Sequence, residues 1–516
     1  MSPVDKTIAD ATIVRRQHSA AIVRRSLDAV KNPRVPFRMP ALRPLRFPKR
    51  IIDIRDFGAV ADGQTPCTVA IARAIQACVE AGGGRVLIPA GSWFTGAIHL
   101  RDNIDLHLAE GATVRFSSQP ADYLPAVFVR WDGQECHNYS PFIYASACRN
   151  VAITGAGSLM GQGAQWDVTK KSQNLALARL HQMVADDVPV EQRRFAVEEF
   201  PLRPQMICFI NCAGVLLEDF SITEGGPART IHVAYCQDVL IRRLRVAASA
   251  RPGNDGISID STCNAIVEDC QLQTADDCVA LKSGLNGDGC RVGKATENVV
   301  VRRIRATGGL GGIAIGGEIA GGIRNVFVHD CNYAGLAAGI SIKAKPGRGG
   351  TVENVFVDNV TMGNIPGDAI QMMAEGSSSA KADRKPMTFR NIQMRNITCE
   401  QADTAVRMVG LADAPLREVV LENVNITARE GLYCTASNGV RLINVRITPR
   451  SGPVLSVKDS QHIVIDGLNS VHGRSVFLDL RGRQIRDVRL KGDQRTRVRP
   501  VVVLGVDVPK DAIIHE

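Results

Sequence analysis

The chain has 516 residues, 45% of them apolar and 22% charged. That is enough for a large core and excludes a disulfide-held mini-protein or a disordered tail. The net charge of +10 sits at the ends: residues 1–50 hold 12 basic and 3 acidic residues, residues 474–499 hold 9 and 3, and the remainder therefore carries −5. A mildly acidic body gives no support to a polyanionic partner, whether nucleic acid, an acidic membrane surface or an acidic polysaccharide.

In chain order, residues 1–50 are rich in proline and arginine and read as an extended, solvated basic arm with one amphipathic stretch. Neither Arg15-Arg16 nor Arg24-Arg25 precedes an apolar export segment, and no run approaches the roughly 20 apolar residues of a membrane span. Residues 67–81 place Ile71, Ile75, Cys78 and Val79 on one helical face before a Gly-Gly-Gly stop, which predicts a capping helix.

A repeated unit follows. It begins with a small or polar residue and continues with alternating β-branched positions: NVAITG at Asn150, GVLLEDFSI at Gly214, DVLIRRLRV at Asp238, NAIVEDCQL at Asn264 and NVVVRRIRA at Asn298. Further units start at Asn325, Asn354, Asn391, Glu418, Gly439 and His462. After a first interval of 64, the steps run from 21 to 37 residues. Such a unit cannot bury its own apolar face, so neighbours must stack. Short β-branched strands at this spacing predict an all-β fold, a right-handed parallel β-helix with an N-terminal capping helix. A leucine-rich horseshoe would need Leu-x-x-Leu-x-Leu and a helix in every repeat. The expected division is an arm over 1–50, a single β-helix domain over 51–473 and a basic extension over 474–516. A polar, helix-prone insertion at about 167–200 is expected beside the cleft.

Among the 14 cysteines, Cys148, Cys212 and Cys236 lie two residues before their units, and Cys270 and Cys331 six after the start of theirs. Stacked internal thiols are expected rather than disulfides or metal ligands.

Two acidic clusters fall in consecutive coils: GNDGISID with Asp255, and TADDCVALKSG with Asp276 and Asp277. Asp255 and Asp276 are 21 residues apart, about one coil, which predicts that they stack. Crowded carboxylates repel, raising at least one pKa, and a general acid beside an ionised base suits glycosidic cleavage. Asp260 reads as a turn residue.

These clusters, with IDIRDFGAVADG, AGGGRVLIPAG, NYSPFIYA, LRPQMICFINC and TIHVAYC, resemble the polygalacturonases, family 28 of the glycoside hydrolases, from about Ile51 to His472. The resemblance implies hydrolysis of α-linked galacturonate-containing pectic chains with inversion and with no metal or cofactor. By the same resemblance Asp276 matches the general acid, and Asp255 and Asp277 the carboxylates that activate water. One-rung spacing would suggest retention by the usual carboxylate-separation rule; the family's inversion is followed here, because a pair of carboxylates can hold the water beside the acid.

The chain departs from the family at three motifs. Gly253-Asn254-Asp255 replaces Asn-Thr-Asp, Gly309-Leu310-Gly311 replaces Gly-His-Gly, and Ser341-Ile342-Lys343 replaces Arg-Ile-Lys. Lys343 keeps a point charge for a substrate carboxylate, with Arg348 and Asn254 as further expected contacts. Retained acids with altered partners predict an active hydrolase of changed specificity. The other readings are a glycan-binding β-helix without catalysis, and a polysaccharide lyase assisted by Ca²⁺. The partner expected is a poly- or oligosaccharide, the chain is expected to be a monomer, and the resemblance implies secretion or a periplasmic location, with a cytoplasmic one also open.

Overall fold

The alternation within each unit decides which side chains turn inward. In the unit at Asn298, Val299, Val301, Ile304 and Ala306 are completely buried, and their neighbours point outward. Parallel pairing in register stacks these positions, so Val239, Ala265, Val299, Val326 and Val355 form one continuous column. The residue that opens each unit turns the corner with a left-handed backbone, φ between 54° and 57° at Asn264, Asn298, Asn325 and Asn354. Asparagine tolerates that conformation better than other non-glycine residues. Its amide also bonds to the asparagine of the preceding coil, at 3.1 Å from Asn298 to Asn264 and 3.0 Å from Asn325 to Asn298.

The result, a computed structural model, is a right-handed parallel β-helix. It describes residues 35–166, 170–197, 201–248, 253–345, 348–374, 385–469, 476–491 and 501–516. The capping helix spans Thr68–Glu80 and buries Ala70, Ile71, Ala74, Ile75 and Cys78 against the first coil; Val79 is half-buried on its flank. The cysteines are free thiols. Cys148, Cys212 and Cys236 stack inside, with the Cys212 amide donating to Cys236 Sγ at 3.3 Å. Cys270 and Cys331 share an interior column but are separated by Ile304.

Two sequence boundaries move. Strands Val476–Arg481 and Arg486–Lys491 pair in parallel with the coils before them, so the solenoid continues past 473 through the segment read as an extension. The described part of the arm is not wholly solvated: Val35, Phe37, Met39 and Leu42 pack on the outward-facing Ile266, Val300 and Phe327, strapping several coils together, while Arg38 and Arg43 along it are exposed. Residues 1–34, including the amphipathic stretch, lie outside the described residues.

One face of the solenoid positions the site. A β-hairpin, Val127–Trp131 and Gln134–Asn138, folds back over the outer surface of the N-terminal coils. Helix Lys170–Ala185 of the expected insertion packs against it. Beneath the hairpin the outward residues Cys208, His232, Ala234 and Asp260 are completely buried. Towards the C-terminus the same outward rows, through Lys343, Gln371, Arg407 and Tyr433, are half-buried and open.

Candidate active site

The carboxylates sit where that face changes from covered to open. Strand Ile257–Asp260 pairs with Val279–Lys282 in the register Ile257 to Val279. That register places Asp277, not Asp276, on the rung beside Asp255. The expected stack of Asp255 on Asp276 is therefore displaced by one residue, and Asp276 lies at the edge, half-exposed, while Asp255 and Asp277 are buried. Carboxylate oxygens of all three lie within 4.8 Å of one another. Asp276 is held by two backbone amides, Gly253 N to Oδ2 at 2.9 Å and Asp277 N to Oδ1 at 2.9 Å.

Cations separate the electrostatics of the two buried acids. Burial works to raise the Asp255 carboxyl, but Lys282 Nζ at 2.9 Å and Arg229 Nε at 3.5 Å outweigh it and hold the group below the usual range. A hydrogen bond from Ser258 Oγ at 2.9 Å adds to this. For Asp277, burial dominates and raises the carboxyl despite Lys343 Nζ at 3.0 Å, with the charges of Asp255 and Asp276 pushing the same way. A carboxylate held ionised thus adjoins one that resists ionisation, and the less buried Asp276 sits beside them at the open edge.

Sequence reasoning missed the groups that create this difference. Arg229 and Lys282 share Glu318, with Arg229 Nη2 at 2.6 Å and Lys282 Nζ at 3.3 Å from its Oε1. Lys282 carried a signal, being the outward residue two positions before the end of TADDCVALKSG. Glu318 carried none. The hairpin tip supplies Trp131 and Asp132, and the insertion helix Gln173, to a cleft of about 240 Å³ that also contains Lys343.

Two other expectations are corrected. Asp260 is not a turn residue: it ends its strand fully buried, 3.0 Å from Arg130 Nη1 of the hairpin and 3.3 Å from His232 Nε2. Asn254 does not open into the cleft. It is completely buried, accepting from Thr230 Oγ1 at 2.7 Å and donating to the Gly226 carbonyl at 3.0 Å. At the Gly-Leu-Gly motif the Leu310 side chain is 48% exposed while its amide donates to the Asp276 carbonyl at 3.1 Å, and a Cβ at Gly311 would lie 2.7 Å from Asp277 Oδ1. Arg348 opens a strand paired with Lys385, and its side chain lies outside the described residues.

Clustered carboxylates of unlike ionisation, set in a cleft along a parallel β-helix, define a glycoside hydrolase of the solenoid class. The model of the Glycosyl hydrolases family 28 matches residues 78–445, and the chain belongs to that family. It is 29% identical to a probable polygalacturonase of Vitis vinifera over 385 residues, covering 72% of this chain and 73% of that one. It is 22% identical to an exo-poly-alpha-D-galacturonosidase of Dickeya chrysanthemi, covering 68% and 62% of the two chains. Among solved structures, a hyperthermoactive exopolygalacturonase from Thermotoga maritima superposes with a TM-score of 0.71 at 31% identity, covering 76% of this chain and 92% of that one.

Proposed function

We propose that the enzyme hydrolyses galacturonate-containing pectic chains from one end. The observation that carries this reading is the position of the three carboxylates, at the boundary between the face covered by the hairpin and the face left open. A polymer laid along the open rows meets the hairpin wall just beyond the scissile position. Only its terminal sugars fit on the covered side, and there Arg229 Nη1, buried and with no partner among the described residues, offers a donor to a sugar carboxylate. The exo-acting names of the Thermotoga and Dickeya relatives agree with this arrangement.

In this mechanism Asp276, the acid open to the cleft, protonates the leaving glycosidic oxygen. Asp255, held ionised by Lys282 and Arg229, takes the proton of a water shared with Asp277, and that water attacks the anomeric carbon from the opposite face with inversion. The oxygens lie closer than the usual separation in inverting enzymes, and the water is held by the pair beside the acid rather than between distant carboxylates. Lys282 and Lys343 already place ammonium groups against Asp255 and Asp277, the positions a lyase would give to Ca²⁺, which favours hydrolysis over elimination.

Specificity at the cleavage site is proposed to differ from that of an Arg-Ile-Lys enzyme. Ser341 is completely buried and bonded by Gln371 Nε2 at 2.8 Å, so the carboxylate grip there falls to Lys343 alone. The test is product analysis on a panel of acidic polysaccharides. Mono- or disaccharides accumulating from the first time point support the reading, and a spread of intermediate lengths contradicts it.

A further inference from the structure

The outward row that begins at Ser341 continues, rung by rung, through Gln371, Arg407 and Tyr433. At about 4.8 Å per rung, Arg407 stands about 10 Å and Tyr433 about 14 Å beyond Ser341 along the solenoid. The two side chains are built together: the Arg407 guanidinium lies over the Tyr433 ring, 5.6 Å from its centre. Asp368 accepts from Nε at 3.0 Å and Thr404 Oγ1 from Nη2 at 2.7 Å, fixing the plane of the guanidinium. Nη1 has no hydrogen-bond partner among the described residues. Both residues are half-buried, so the ring and the guanidinium are neither core nor fully solvated.

We propose that Arg407 and Tyr433, with Gln371 between them and Lys343, form a distal subsite that holds an acidic sugar of the chain trailing away from the cleavage point. The proposal rests on the reading of the enzyme as one that takes a galacturonate polymer along the open face. A guanidinium anchored on one edge leaves its other edge for a sugar carboxylate, and an adjacent aromatic ring offers an apolar surface to the C–H face of a pyranose. The subsite lies on the open side only. It strengthens the grip on long chains and adds nothing for chains too short to reach it.

The test uses the full-length protein and galacturonate oligomers of increasing length. Hydrolysis is measured with the wild type, and binding by calorimetry with Asp276→Asn. In Asp276→Asn the affinity is expected to rise by about tenfold as the oligomer becomes long enough to reach Arg407, the scale of one charge-assisted hydrogen bond. Adding Arg407→Gln or Tyr433→Ala should abolish that rise, and adding Tyr433→Phe, which keeps the ring, should preserve it. Length-dependent binding without hydrolysis by the wild type would overturn the proposed activity and leave the subsite standing. Hydrolysis by the wild type, together with a length dependence of binding identical in all the Asp276→Asn variants, would overturn the subsite alone. Failure of every galacturonate oligomer to bind would overturn both.

Discussion

Lys282 Nζ lies 2.9 Å from Asp255 Oδ2 and 3.3 Å from Glu318 Oε1, so one buried ammonium bridges the proposed base and a carboxylate two coils wide of it. The pair links the strand that ends in Lys282 to the chemistry of the preceding coil. Because Lys282 favours the ionised form of Asp255, Lys282→Met should raise the pKa of that carboxyl. The acid limb of the pH profile of kcat/KM should therefore move to higher pH. Stability should fall by about 3 kcal/mol, because Glu318 and Asp255 lose a buried partner. An unmoved acid limb in a folded variant would show that Asp255 is not the ionised base.

Asp277 gives the opposite sign. Its carboxyl is raised in the folded protein, so its ionisation opposes folding. The penalty appears as pH rises through the unfolded value near 4 and is complete above the folded value. Asp277→Asn should accordingly raise the Tm at pH 7 relative to wild type, and the gain should vanish in acid. Activity should fall by about two orders of magnitude or more. Denaturation at pH 3 and pH 7 with both proteins measures the difference directly.

Asp260 is buried between Arg130 and His232, and it ties the hairpin to the solenoid. Removing the carboxylate leaves the Arg130 charge completely buried without its partner. Asp260→Ala should lower stability by about 3–5 kcal/mol, read as a reduced urea midpoint. A loss within the error of the wild type would remove the hairpin from the stabilised body of the enzyme.

Gly311→Ala adds a Cβ that would sit 2.7 Å from Asp277 Oδ1. The acid must shift, and a displacement of this kind commonly lowers turnover by about a hundredfold. Leu310→Ala trims a 48%-exposed side chain and keeps the amide that donates to the Asp276 carbonyl at 3.1 Å, so turnover should stay within about twofold. Steady-state kinetics of the two variants side by side measure the difference.

These residues also show how far the sequence could be read. The unit starting at Asn298 displays its alternation and its corner asparagine in the letters themselves, because each coil repeats the same local conformation and meets only its neighbours. Asp255, Asp276 and Asp277 were legible for the same reason, being about one coil apart. The register between Asp255 and Asp277 was not, since a one-residue offset depends on where each loop rejoins its strand. Arg130 and Asp260 are far apart in the chain and meet only because the hairpin folds back across three coils. No periodicity predicts that contact, and a lone Asp after a strand looks like a turn. The partly buried strap of Val35 to Leu42 escaped for a related reason: its surroundings of proline and arginine resemble a solvated arm, and the apolar surface that receives it lies on outward positions of distant coils.

The account turns on Asp276 as the acid of an end-acting hydrolase, and the direct measurement is the time course of products from polygalacturonate with the wild type and Asp276→Asn. The wild type should release short products with new reducing ends and no unsaturated sugars from the first time points. Asp276→Asn should lose at least about a hundredfold in rate while losing only about 1 kcal/mol of stability, the cost of one altered backbone contact. Unsaturated products, or an Asp276→Asn variant as fast as the wild type, would contradict the account.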